Sequence, residues 1–229
     1  MIRPLTTNGL VPADDFPTRP YEAIHETVSH SWGSHVLYDH YAGAWNAVAY
    51  RFHAAVDAAG VFQASLLTAG SSPTAEGRYH QDKALADFFG GGFSTFESVF
   101  YALHSIGAFL DANAFSLATP KAQQQVSPKQ TSEVYRRAFP GDPILVAFEA
   151  LFADPAYQEG REIRNILTHR TAPGRRMYVG IGKDDAPPTE WKLNNIPLDA
   201  SMVPNRRREL ARMLTSLIEG ANVFVARRA

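Results

Sequence analysis

Along most of this chain apolar residues recur every three or four positions, the spacing that lays them on one face of an α-helix. The longest stripe is Tyr41, Trp45, Val48, Phe52, Ala55, Ala59, Phe62 and Leu66, which predicts a helix from about Asp39 to Leu67. Gly70-Ser71-Ser72-Pro73 ends it. A second helical segment begins near Arg78 and meets Gly90-Gly91-Gly92, where three poor helix formers in a row predict a break or sharp kink. Ser94 and Glu97 then stand at capping-box spacing, so a new helix is expected there. Its buried face would carry Phe96, Val99, Phe100, Leu103, Ile106, Gly107 and Leu110.

Pro120 to Pro128 reads as a polar loop, followed by short helices at about Thr131 to Phe139 and Pro143 to Phe152. Asp142-Pro143 and Asp154-Pro155 each pair an N-cap with proline in the first helical position. The second opens a helix to about Arg170, which Thr171-Ala172-Pro173-Gly174 stops. Met177 to Ile181 and Glu190 to Ile196 alternate weakly around Asp184 to Pro188, which predicts a small β-hairpin. The last helix, about Pro204 to Ala226, carries Leu210, Met213, Leu214, Leu217, Ile218, Ala221 and Val225 in one stripe. The fold class that follows is all-α: an up-and-down bundle of about five main helices in a single domain over 34–229. Residues 1–33, rich in Pro, Thr, Ser and His and without a sustained period, are expected to form an extended arm on its surface.

Composition narrows the class. With 229 residues, 45% of them hydrophobic and 20% charged, the chain can bury a real core. No apolar run is long enough to span a bilayer, and the first fifteen residues lack the apolar stretch of a secretory signal. A soluble, cytoplasmic protein without a membrane partner is the expectation. With no cysteine, disulfides, thiolate metal sites and cysteine nucleophiles are all excluded.

Charge adds an asymmetry that the net value of -1 hides. Up to Glu159 there are 9 basic and 16 acidic residues, a net of -7; from Gly160 onward there are 13 basic and 7 acidic, a net of +6. Most of the later cations are arginines, which suit bidentate phosphate contact. Two readings remain open: a polyanionic partner, or complementarity between the two parts across the bundle.

The most informative stretch is Arg161 to Arg170. At about 100° per residue, Ile163, Ile166 and Leu167 share a core face. Asn165 and His169, four apart, are neighbours on the outer surface, where the amide would orient the imidazole. Arg164 and His169 are five apart, hence about 140° apart around the helix. One straight helix does not aim both at one phosphate, so a distorted end or a second copy must supply the match.

Other groups invite weaker readings. His25, His30, His35 and His40 recur every five residues, a spacing that scatters ligands around a helix. His35 and Asp39, four apart, would need His80 or His104 to imitate the metal site of a DinB-like bundle. The glycine triplet with Ser94 and Thr95 offers free N–H groups to a phosphate but lacks the P-loop ending. No metal or cofactor is expected.

Arg164, Asn165 and His169 fit the motif of the HEPN superfamily of helical bundles: an arginine, often followed by a polar residue, with a histidine four to six residues further on. They also fall on a late helix after two long ones, as in that family, which this chain resembles over about Asp39 to Ala226. The resemblance implies a HEPN-like bundle and a metal-independent endoribonuclease, or an RNA-binding relative, with the motifs of two subunits meeting in a homodimer cleft. Histidine would move a proton as the ribose 2′-OH attacks the neighbouring phosphate. Arginine would stabilise the charge on the phosphorus oxygens, giving 2′,3′-cyclic phosphate and 5′-OH ends. Glu97, Arg161 and Arg170 are candidate accessory groups, and an inhibitory partner protein would be compatible with such an enzyme. The alternative is a non-catalytic interaction domain, in which His169 caps a helix end and Arg164 makes a surface ion pair.

Overall fold

The computed structural model describes residues 4–11, 14–169, 173–176, 190–193 and 196–229. Among these, eight α-helices and a small antiparallel sheet form an all-α bundle. No described helix is long and apolar enough to cross a membrane.

The N-terminal segment corrects the expectation of an extended arm: Thr18–Trp32 is a helix, α1, preceded by a 3-10 turn at Leu5–Asn8. Tyr21, Ile24, His25 and Val28 are buried on one of its faces. Their spacing is helical, and Pro20 sits in the first turn, where its missing N–H costs nothing.

Two long helices, α2 (Tyr38–Ala69) and α3 (Ala75–Leu110), make an antiparallel hairpin. Thr74 caps α3 by accepting from the Gly77 N–H at 3.2 Å. The helix then runs 36 residues without a break, so the break at Gly90-Gly91-Gly92 and the capping box at Ser94 and Glu97 are overturned. Packing explains the glycines instead. A Cβ on Gly91 would lie 3.1 Å from the Arg51 carbonyl oxygen of α2, and one on Gly92 would lie 3.1 Å from Leu210 further along the chain. Glycine lets two neighbours approach α3 at one level, and their contacts offset its poor helix propensity. Between Gly92 and Ala108 only Ser94, Glu97 and Tyr101 escape burial, so α3 is a central helix with one open side.

Pro120–Gln125, expected as loop, is a short helix, α4, capped by Thr119. Then come α5 (Pro128–Ala138), α6 (Ile144–Ala153), α7 (Pro155–His169) and α8 (Met202–Ala226). Both Asp-Pro signals mark helix starts, α7 at Pro155 as read and α6 one residue later, at Ile144. Asp142 Oδ1 accepts from the Ile144 N–H at 3.0 Å, and Asp154 Oδ1 from the Ala156 N–H at 2.9 Å. The expected stripe of α8 is buried throughout.

The sheet joins β1 (Arg175–Arg176), β2 (Glu190–Leu193) and β3 (Ile196–Pro197) in that order. Arg175 pairs with Trp191, and Leu193 with Ile196. The expected strand at Met177 to Ile181 and its turn lie outside the described residues. The sheet is pinned to the bundle by Trp191, which packs on Phe62, and by Arg175, whose guanidinium lies 3.7 Å from the Trp191 ring centre and 3.2 Å from Asp82.

That last pair is one of a set. Arg164 pairs with Glu97, Arg206 with Glu159, Arg207 with Asp15, Arg212 with Asp154 and Arg228 with Asp142. All six acids belong to the acidic first part of the chain and all six arginines to the basic remainder. Of the two readings of the charge asymmetry, complementarity inside the bundle accounts for these arginines.

Candidate functional site

Asp154 caps the start of α7, and Gly160 sets its depth. A Cβ there would lie 2.6 Å from the Phe93 ring, so glycine allows α7 to lie directly on α3. Tyr157, Ile163 and Ile166 are buried as α7 packs down, with Leu167 partly so. Away from Ile163 and Ile166, α7 turns Arg161, Arg164 and Asn165, with Tyr157 beneath them, to an open cleft of about 860 Å³.

Three elements wall this cleft and a fourth, α6, puts Phe152 in its floor. Phe93 and Glu97 come from α3, residues between Tyr157 and Asn165 from α7, and Ser127, Pro128 and Lys129 from the start of α5. The floor is aromatic: Tyr157 packs 5.5 Å from Phe93 and 6.0 Å from Phe152 between ring centres. A second groove of about 410 Å³, lined by Arg51 and Tyr101, shares Glu97, Ser127 and Pro128 with the first.

Arg164 donates through Nη2 to Glu97 Oε1 at 3.0 Å and through Nη1 to Asn165 Oδ1 at 3.2 Å. At 24% and 45% side-chain exposure, the ion pair contributes no more than about 1 kcal/mol to stability. Its consequence is orientation: a guanidinium has five N–H groups, and the two engaged here fix the plane of the others. Glu97 is therefore not the capping residue its local sequence suggested but the partner of Arg164 from 67 positions away.

Burial pushes the Tyr157 phenol up to about 12; Arg161 and Arg164 act against that shift and Glu97 adds to it. The hydroxyl stays protonated over the physiological range and is a hydrogen-bond donor in the company of these three charges.

His169 is exposed in the last turn of α7 and makes no hydrogen bond among the described residues. The expected bond to Asn165 is not made, because the Asn165 amide oxygen is turned to Arg164. Arg161, Asn165 and His169 are successive members of one four-residue row, so His169 continues the cleft's row one turn past Asn165. Arg170 lies outside the described residues.

The histidine and aspartate set does not converge. His35 Nδ1 accepts from the Leu37 N–H and its ring packs on Phe109. His80 faces Glu76, and His104 is buried beside Thr131 and Phe115. Among the described residues no three potential ligands gather in a metal-binding cluster.

Sequence reasoning missed the third wall. Ser127-Pro128 is the same cap-and-proline signal as the two Asp-Pro pairs: Ser127 Oγ accepts from the Gln130 N–H at 3.2 Å. Read that way, it would have started α5 at Pro128 and placed Lys129 in its first turn. Tyr157 gives no signal of its own, because at helix spacing it reads only as core.

Compared with known proteins, the chain matches no family model, no curated protein and no solved structure.

Proposed function

We propose that this protein is a metal-independent endoribonuclease of HEPN type, or an RNA-binding relative of one, acting in the cytoplasm as a homodimer. The observation that carries this reading is the Arg164 guanidinium, held by Glu97 and Asn165 at the edge of an open cleft with spare N–H groups. Such a fork suits two non-bridging oxygens of a phosphodiester, where negative charge grows as a fifth oxygen adds to phosphorus.

In that reaction the ribose 2′-oxygen attacks the adjacent phosphorus, and the bond to the 5′-oxygen breaks. The proton leaves the 2′-hydroxyl and a proton arrives on the 5′-oxygen, leaving a 2′,3′-cyclic phosphate and a 5′-hydroxyl. The exposed His169 imidazole is suited to one of these transfers, since a ring nitrogen within reach of solvent and substrate can take up or release a proton. Because Arg164 and His169 diverge by about 140° on α7, the arginine of one copy and the histidine of the other serve one phosphate. A two-fold axis near α7 then gives two equivalent sites.

The test is cleavage of a mixed RNA panel by the purified protein in excess EDTA, alongside sedimentation at high micromolar concentration. Cleavage in EDTA by a dimer, abolished in His169→Ala, is expected. Cleavage that needs a divalent metal would favour a metal-dependent hydrolase instead. A strict monomer would remove the shared-site argument.

A second reading has its own support in the Arg164–Glu97 bond, which by itself accounts for Arg164 as a tie between α3 and α7. A folded protein inactive on every RNA tried would favour this non-catalytic interaction domain.

A further inference from the structure

The internal matching of charges leaves a remainder. Arg164, Arg175, Arg206, Arg207, Arg212 and Arg228 each have an acidic partner inside the molecule. Arg161 is exposed on the cleft and makes no ion pair or hydrogen bond among the described residues. Arg19, Arg51, Arg78, Arg137, Arg208 and Arg227 also make no ion pair among the described residues, but none of them lines the cleft.

Across the cleft from α7, Lys129 stands in the first turn of α5. Its side chain is 88% exposed, and its one ion pair among the described residues is a 4.0 Å approach to Glu133 on its own helix. A cation at a helix N-terminus is disfavoured by the macrodipole, and Lys129 adds one where the dipole is already positive. Two poorly matched cations thus face one cleft from different walls, whereas eight of the fifteen arginines among the described residues have an acidic partner. The cleft's acids are Glu97, engaged by Arg164, and Glu162.

We infer that Arg161 and Lys129 are phosphate anchors, gripping from two walls the backbone of a polyanion whose next phosphate lies at Arg164. This rests on the ribonuclease reading for the identity of the polyanion as RNA. The two residues are positioning groups: they hold phosphates flanking the scissile one and touch no bond that changes. Replacing them should therefore raise KM and leave kcat nearly as it was. A cation that neutralises a phosphate releases counterions, so removing either side chain should also flatten the salt dependence of binding.

The experiment measures binding of a fluorescein-labelled oligouridylate, and separately of inorganic polyphosphate, by anisotropy across a salt series. The whole 229-residue chain carrying His169→Ala is used so that RNA survives the measurement. Arg161→Ala and Lys129→Ala, each added to it, should weaken both probes by roughly three- to tenfold and shrink the logarithmic salt slope by about 0.7 for each cation removed. Arg227→Ala is the control, with no change expected. Affinity and slope unchanged in the Arg161 and Lys129 variants, or no binding of either probe by the parent, would overturn the inference. The ribonuclease reading fails on a different measurement, the absence of cleavage of any RNA by the unsubstituted protein. Weaker polyphosphate binding in the two variants supports the anchors whatever that outcome.

Discussion

Tyr21 and Trp45 exchange hydrogen bonds between side chain and backbone. The Tyr21 hydroxyl donates to the Trp45 carbonyl at 2.8 Å, and the Trp45 indole N–H donates to the Tyr21 carbonyl at 3.1 Å. Their rings stack with centres 4.8 Å apart, and both side chains are fully buried. The pair fastens α1 to α2 by satisfying two buried donors at once. Tyr21→Phe keeps the ring but removes one bond, and should cost about 1 to 2 kcal/mol in urea unfolding. Tyr21→Ala should cost roughly 3 to 5 kcal/mol. Unchanged stability in both variants would mean that α1 does not pack as described.

That pair also shows what the sequence hides. The stripes of α2 and α8 are readable because eight and seven apolar residues in register outweigh any local irregularity. In α1 only Tyr21, Ile24, Val28 and the partly buried Trp32 supply an apolar period, amid histidines, serines and threonines, and the other half of the signal sits on Trp45. The same limit hides the candidate site. Arg164, Asn165 and His169 stand out within six residues, but Glu97 is tied to Arg164 across 67 positions. Its local pattern, Ser94 to Glu97, points to a helix start that does not exist.

The glycine triplet makes this testable one residue at a time. A Cβ on Gly90 meets nothing within 4 Å, whereas one on Gly91 presses on the Arg51 backbone. Gly90→Ala should therefore stabilise the protein by about 0.5 to 1 kcal/mol, the usual gain of alanine over glycine inside a helix. Gly91→Val should destabilise it by roughly 1 to 3 kcal/mol by forcing α2 away from α3. Thermal melts that rank the two variants the other way would contradict the unbroken helix.

His104 should make the fold sensitive to acid. Burial pulls its imidazole from 6.5 down to about 4, only partly opposed by a backbone hydrogen bond with Ser116. The folded state thus resists a proton that the unfolded chain accepts. The neutral ring's contribution is fully present above pH 6.5 and fades progressively as pH falls toward 4, to a limit of about 3 kcal/mol. His104→Gln keeps a polar group beside Thr131 but does not titrate. Its unfolding free energy should vary less between pH 6.5 and 4 than that of the parent. Parallel pH profiles would show that His104 does not sense pH.

The chemistry of the cleft can be divided among its residues. His169→Ala should abolish cleavage and leave the melting temperature nearly unchanged, because an exposed side chain in a last helical turn contributes little to stability. Arg164→Lys should be severely impaired although it keeps the charge, since lysine lacks the planar fork that spans two phosphate oxygens. Glu97→Gln should be impaired less than either. The glutamine oxygen can still accept from Arg164 Nη2, but without a full charge it holds the guanidinium less firmly. A deoxyribose at the cut site should block cleavage by removing the attacking oxygen, while binding to Arg161 and Lys129 persists, because those two residues need only phosphate. The informative comparison is therefore kcat against KM. Changes at Arg164 and His169 should appear in kcat, and changes at Arg161 and Lys129 in KM. A protein with both Arg164 and His169 changed to alanine that still cleaves RNA at the parent rate would refute the site.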